Sequence, residues 1–424
     1  VVGAGVAELR FEGPGSGSGP ELQHAYRYGY DLADQPIWKE VAQRDHGGQS
    51  HANQRSWLYG YDGVHRLAAA DMGALTGHTG QTPSPAVVGS TLHPAPRVEG
   101  WNLDPLGNWE ARTIAPIPGD SAGTQTTTHA VDLRNELESV GIATTGGSGG
   151  PTSTADDYIY DITGNLVLDG SYFYQYDAWG RLAKVSHRGS LELTATGQHA
   201  SGAAGEWIVH YTYDAMGRLA RLQRPLAGYP TVNHTEHFYY DGVRRVQEVF
   251  NSIDAGSGSE QSSEEETTTP TLTTWADREY IHTAGPGSYV DEYVCEIGNL
   301  NTSQTPLFHL QDANYNVLGL VSAAGAVVRQ HTFDAYGRLI HAEDFATTLK
   351  SRVGHQGLFF TRLDAPQGWP ELSVTEVAAG TGGAAPLTVP VTGLYHTHNR
   401  SYAPGLGRWL QRDPNSSGLP TQAS

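Results

Sequence analysis

The chain has 424 residues, with 52 Gly, 23 Pro and 22 Tyr against only 26 Lys+Arg, and a formal net charge of −19. That balance excludes a general role on nucleic acid, where Lys and Arg must displace counterions from the phosphates. A single cysteine, Cys295, excludes an intramolecular disulfide and a cysteine-based zinc cluster, and the sequence holds no apolar run long enough for a transmembrane helix. Composition points instead to turn-rich β-structure, because aromatic residues suit a pleated surface and Gly permits positive φ.

In chain order, residues 1–25 are expected to be poorly structured, and 26–155 to hold divergent copies of one phrase. These copies read "YGYDLADQPIW" from Tyr28, "YGYDGVHRL" from Tyr59 and "WNLDPLGNW" from Trp101. Apolar spacing gives only short helical candidates near 37–44 and 131–140. Residues 156–305 carry the phrase most plainly: "YIYDITGNL" from Tyr158, "YDAWGRL" at 176–182, "YDAMGRL" at 213–219 and "FYYDGVRRV" from Phe238. An acidic Ser/Thr-rich stretch at 252–274 reads as a solvated loop, and 124–130, 144–155 and 378–390 as loops or edge insertions. Residues 306–414 contain "LQDANYNVLGLVSAAGAVV" from Leu310 and "FDAYGRL" at 333–339, with an insertion at 364–391 and a tail at 415–424. The chain opens on Val1 and ends on a polar Ser424, which is expected of a piece of a longer protein.

Physically the phrase is a hairpin. In "YQYDAWGRLAKV", Tyr174 and Tyr176 project from one strand face, and Asp177 accepts a backbone N–H two residues on. Gly180 supplies positive φ, and Arg181 opens the return strand within reach of both ring and acid. The same roles fall to Tyr213, Asp214, Gly217 and Arg218, and to Phe333, Asp334, Gly337 and Arg338. Unequal intervals between the aspartates fit one hairpin with variable insertions, not a fixed-length propeller blade. Chemistry seldom needs the same acid, glycine and base in every unit, whereas a stacked wall does, so these residues are assigned to structure. Two imidazoles, His396 and His398, share a strand face, but no third ligand accompanies them and no metal or cofactor is assigned.

These phrases resemble YD repeats, the unit of RHS (rearrangement hot spot) and teneurin proteins. Residues 308–339 are similar to the segment leading into the RHS-associated core, and "GLYHTHNRSYAPGLGRWLQRDP" (393–414) resembles that core's signature. The resemblance implies an all-β fold whose hairpins form a spiralling sheet, a shell or partial barrel, with the core as a plug. It implies a structural role, encapsulating or displaying a C-terminal effector (toxin) domain of the same parent, in a secreted or cell-surface protein. Partners would be that effector, secretion machinery, or surface glycans and receptors; an adhesion scaffold of teneurin type is the alternative. Several members have an aspartate-dependent self-cleaving core, and by that resemblance Arg412 and Asp413 are the tentative catalytic residues. Here the chain reads "RDPNSSGLPTQAS", without the family's second acidic residue and cleavage segment.

Overall fold

The computed structural model describes residues 8–413 apart from 15–19, 45–49, 53–54, 77–85, 89–96, 117–122, 146–151, 227–228, 255–270, 284–288, 299–303, 345–350, 365–391 and 398. The hairpin unit explains most of what is seen. In the strand Tyr172–Tyr176, alternate rings Tyr172 and Tyr174 are buried and Tyr176 packs beside them. At the turn, Asp177 Oδ1 accepts N–H groups from Trp179 (2.9 Å) and Arg181 (3.0 Å), while Oδ2 accepts Arg181 Nε at 2.7 Å. Gly180 sits at φ +74 and lets the chain return. The guanidinium of Arg181 then lies 4.6 Å from the Tyr213 ring centroid, on the next hairpin.

The second copy repeats every element. Asp214 Oδ1 accepts from Met216 and Arg218, each at 2.9 Å, its Oδ2 accepts Arg218 Nε at 2.7 Å, and Arg218 lies 4.9 Å from the Tyr240 ring. Consecutive hairpins are also stapled by the tyrosine before the aspartate. Tyr176, Tyr213 and Tyr240 donate their hydroxyls to the carbonyls of Leu166, Leu182 and Leu219, at 2.6, 2.8 and 2.8 Å. A buried tyrosine hydroxyl needs such an acceptor, and each bond adds about 0.5–1.5 kcal/mol net.

These units build a 12-stranded antiparallel sheet from Glu8–Pro14 to Thr152–Asp157 and a 14-stranded one from Ile159–Tyr160 to Leu339–Asp344. Main-path strands follow chain order, so successive connections alternate between the two rims. Asp31, Asp62, Asp104 and Asp132 therefore turn on one rim of the first sheet. Asp161, Asp177, Asp214, Asp241, Asp312 and Asp334 do so on one rim of the second. The short excursions Ser50–Ala52 and Ala86–Val88, and the hairpin Glu192–Leu193 with His199–Ser201, leave from the opposite rim.

A third, four-stranded sheet, from Phe359–Arg362 to Arg408–Trp409, packs against both large sheets. Its Leu394, Ala403 and Leu410 join Tyr172, Leu182, Tyr211 and Phe238 of the second sheet in one core. Its Phe360, Tyr395 and Tyr402 join Tyr26 and Val41 of the first sheet and Phe333 and Leu339 of the second in another. The C-terminal residues thus fill the interior between the walls.

Several expectations are corrected. Residues 8–14 and 20–30 are paired strands, so the first 25 residues are not uniformly unstructured. The helical candidates are absent. Pro36–Arg44 is a strand, and 131–140 spans an aspartate turn in which Asn135 takes φ +67, as Asp34, His65 and Tyr315 take positive φ in theirs, where the Asp177, Asp214 and Asp334 turns use Gly. Thr124–Val131 is a strand rather than a loop, as its β-branched run favours. The acidic loop is shorter than drawn, because Ser252 pairs with Thr273 and Asp254 with Thr271; 255–270 lies outside the described residues, as does 378–390. The first large sheet gives way to the second between Asp157 and Ile159. No break in the second sheet falls at 305/306.

At Gly217 a Cβ would meet nothing closer than Arg181 Nη1 at 3.8 Å, so a substitution there tests backbone strain alone. Gly217→Ala is expected to cost about 1–2 kcal/mol in urea unfolding, the left-handed penalty of an L-residue; an unchanged midpoint would show that the turn tolerates another conformation.

Candidate functional site

The third clear copy of the phrase departs from the other two. Asp334 Oδ1 keeps the turn bonds, accepting from Tyr336 at 3.0 Å and Arg338 at 2.8 Å. Its Oδ2 accepts instead from Arg112 Nη2 at 2.6 Å, a residue of the first sheet. Arg112 also donates to Glu99 at 2.7 Å and lies 5.6 Å from the ring centroids of both Trp101 and Trp109. The Tyr336 ring packs against those indoles, tilted to Trp101 at 5.1 Å and edge-on to Trp109 at 4.6 Å. Burial lowers the Arg112 pKa, but Asp334 and Glu99 more than offset it and hold the guanidinium above its ordinary value. Arg338, displaced from its usual acid, has its pKa lowered by burial.

Gly337 is required twice over: φ is +85, and a Cβ would lie 2.3 Å from the His355 ring. His355 in turn stacks on Tyr402 at 6.2 Å, and Tyr402 donates its hydroxyl to the Tyr336 carbonyl at 2.9 Å. Phe333 packs with Tyr395, Phe360 and Tyr402 in the shared core. The Asp312 turn docks similarly, with Lys39 Nζ 2.9 Å from Asp312 Oδ2, both side chains almost fully buried. Sequence reasoning missed Arg112, Glu99 and Lys39, which sit in the divergent region with no local motif.

Between these contacts lies a cavity of about 420 Å³, walled by Tyr28, Trp57 and Tyr59 on one side and Asp312, Thr332 and Asp334 on the other. A 100-residue domain has a radius of gyration of about 13 Å, so this space cannot house a protein cargo.

The two residues singled out by resemblance, Arg412 and Asp413, lie elsewhere. Arg412 is exposed, with its Cδ beside Gly164 of the Asp161 turn. Asp413 is exposed, with Oδ2 3.5 Å from Arg400 Nη2, next to the last described strand. His396 bonds to Thr361 Oγ1 at 2.9 Å, and burial pushes its pKa down to about 3; His398 lies outside the described residues. Among the described residues no group of His, Cys, Asp and Glu could hold a metal, and no helix is long and apolar enough to cross a membrane, which says nothing of a β-barrel.

No protein-family model matches the sequence, and no curated protein matches it. A crystal structure of TcdB2-TccC3-TEV is similar over 93% of this chain at 13% identity and a TM-score of 0.50, with this chain spanning 17% of that one. A crystal structure of TcdB2-TccC3-Cdc42 gives 0.47 at 12% identity, covering 96% of this chain and 19% of that one. The Photorhabdus luminescens Tc holotoxin pore, carrying a TccC3 substitution, gives 0.46 at 12% identity over 93% and 17%. The first of these shows a shared all-β fold.

Arg112→Met keeps bulk but strands Oδ2 of the buried Asp334 and removes one of two guanidinium partners from Glu99, which keeps Arg97. We expect a loss of about 3–5 kcal/mol in denaturant unfolding, substantially recovered in Arg112→Met/Asp334→Asn; a loss below about 1 kcal/mol would show the pair to be solvated. Acid tests the same core. Burial pushes His331 down to about 3 and His355 down to about 4, from an ordinary 6.5. The unfolded chain therefore binds protons first, and each imidazole removes about 1.4 kcal/mol per pH unit between 6.5 and its folded value. Glu296, held at about 2, adds its loss as pH falls below 4.5. The melting temperature is expected to fall steadily from pH 7 to pH 4; a flat profile to pH 5 would contradict the burial of these rings.

Proposed function

We propose that this chain is the plugged end of an RHS-type β-shell, a scaffold enclosing an effector domain of the same parent protein. The observation that carries the reading is the third sheet. It packs its Phe360, Tyr395 and Tyr402 against both walls at once, as a plug closing a curved wall must. The YD-like phrases and the fold shared with TcdB2-TccC3-TEV support it, as does the small fraction of that longer chain spanned here. The cavity of about 420 Å³ is far too small for cargo, so enclosure would need further wall from the parent. A secreted route and partnership with other toxin components belong to the same proposal.

The test is protease protection in the full natural gene product. Any region encoded beyond residue 424 is expected to resist trypsin under native conditions and become digestible after Arg112→Met loosens the seam between the two walls. Ready digestion in the wild type would favour an open surface scaffold instead.

A second reading gives the plug self-cleaving activity. Asp413 favours it by its place: exposed, beside Arg400, just past the strand Arg408–Trp409, where a following segment could reach it. It would be one acidic member of an aspartate pair whose second carboxylate comes from outside the described residues, with Arg412 as its charged neighbour. Asp413→Asn in the parent is expected to abolish cleavage with the melting temperature unchanged; unaltered cleavage would remove Asp413 from the mechanism.

A further inference from the structure

The most exposed large apolar side chains gather at one place. Leu32, Val64, Leu106 and Leu133 sit at the tips of the first sheet's aspartate turns, each more than half exposed. Ile162, Trp179, Met216 and Val243 hold the same place on the second sheet, also more than half exposed. Alternating connections put all these turns on one rim. That rim runs on from sheet to sheet, since Leu137 N–H donates to Tyr160 Oη at 3.3 Å. Two strands separate successive hairpins of a sheet, so tips recur about every 10 Å along much of the rim, a stripe and not a scatter.

Exposed charge enters the stripe at Asp34, Arg134 and Asp241, and at three other turns it is paired. Arg66, Arg181 and Arg218 are each forked onto the aspartate of their own turn, at 2.7 Å in every case. In a chain of net charge −19, most acids of this rim are engaged by their own turns, with Asp34 and Asp241 exposed beside the tips. Together the eight tips expose on the order of 1,000 Å², spread along the rim and comparable with the roughly 800 Å² per partner of a standard interface. The third copy shows what a tip does when a surface is present: Tyr336, at the position of Trp179 and Met216, is held among Trp101 and Trp109.

We propose that this rim binds a second copy of the chain, the two rims running antiparallel about a twofold axis. A centre-to-centre repeat of about 10 Å leaves room for a side chain from the facing rim between neighbouring tips. A stripe of like elements at one spacing is self-complementary when offset by half a step. The association is apolar between two acidic chains, so added salt strengthens it by screening their repulsion.

The test is sedimentation velocity of the 424-residue chain from about 1 to about 100 μM, at low and high salt. Its partner is Leu106→Ser/Leu133→Ser/Ile162→Ser/Met216→Ser, whose changes fall on exposed side chains and should leave the melting temperature unchanged. The wild type is expected to dimerise, more tightly in salt, with the dissociation constant raised at least ~100-fold in the variant. A wild type monomeric at ~100 μM, or a variant that dimerises equally well, overturns the proposal. So does a monomer whose tips drive flotation with phosphatidylcholine vesicles, which would assign the stripe to a lipid surface. The inference rests on the rim alone, so its failure leaves the shell reading standing.

Discussion

One carboxylate oxygen bridging two backbone amides holds the wall together. A tight turn leaves N–H groups with no strand partner, and an unpaired amide beside packed protein costs free energy. In each full copy the aspartate takes the amides two and four residues ahead, as Asp62 does with Val64 at 3.0 Å and Arg66 at 2.9 Å. Those bonds favour the ionised acid: the Arg66 amide chiefly lowers the Asp62 pKa, while at Asp214 burial is overcome by the Arg218 guanidinium together with the turn amides. An ionised turn acid then attracts the arginine that starts the return strand, and that arginine covers the next hairpin's ring. The turn, the ion pair and the contact between repeats are one linked chain of consequences.

Topology turns this local device into a division of labour. Antiparallel strands in chain order force all such turns to one rim and the irregular excursions to the other. Length can therefore vary on the far rim without disturbing the tyrosine staples, because those run from the aspartate side to the preceding return strand. The hairpin Glu192–Leu193 with His199–Ser201 is an example: it intervenes between Leu182–His187 and Trp207–Tyr213, yet the Tyr213 hydroxyl still reaches the Leu182 carbonyl.

Legibility in the sequence followed the range of the interaction. The turns at Asp177 and Asp214 were readable because acid, glycine, arginine and ring lie within seven residues of one another. The turn at Asp132 was not, since Val131 replaces the aromatic and Asn135 replaces the glycine while holding the same left-handed φ. The strand Thr124–Val131 was obscured by its low complexity, although its threonines favour a pleated edge. Least legible was the pairing of Asp334 with Arg112, 222 residues apart, where neither partner's neighbourhood marks the other. Only the three-dimensional return of the wall upon itself brings them together.

That return explains why one phrase can be both a construction unit and a point of closure. On the open rim, solvent shares the charge of Asp177 and Asp214, and exposed ion pairs of this sort contribute little. Inside, Asp334 meets Arg112, and Asp312 meets Lys39, with all four side chains almost fully buried. A buried pair gains little over a well-packed apolar core, yet a partner left alone there costs several kcal/mol. Shifting the last hairpins by one strand would separate both pairs together and pull Tyr336 from between Trp101 and Trp109. The buried copies therefore add less to stability than to register: they penalise every seating of the closing hairpins and plug except one.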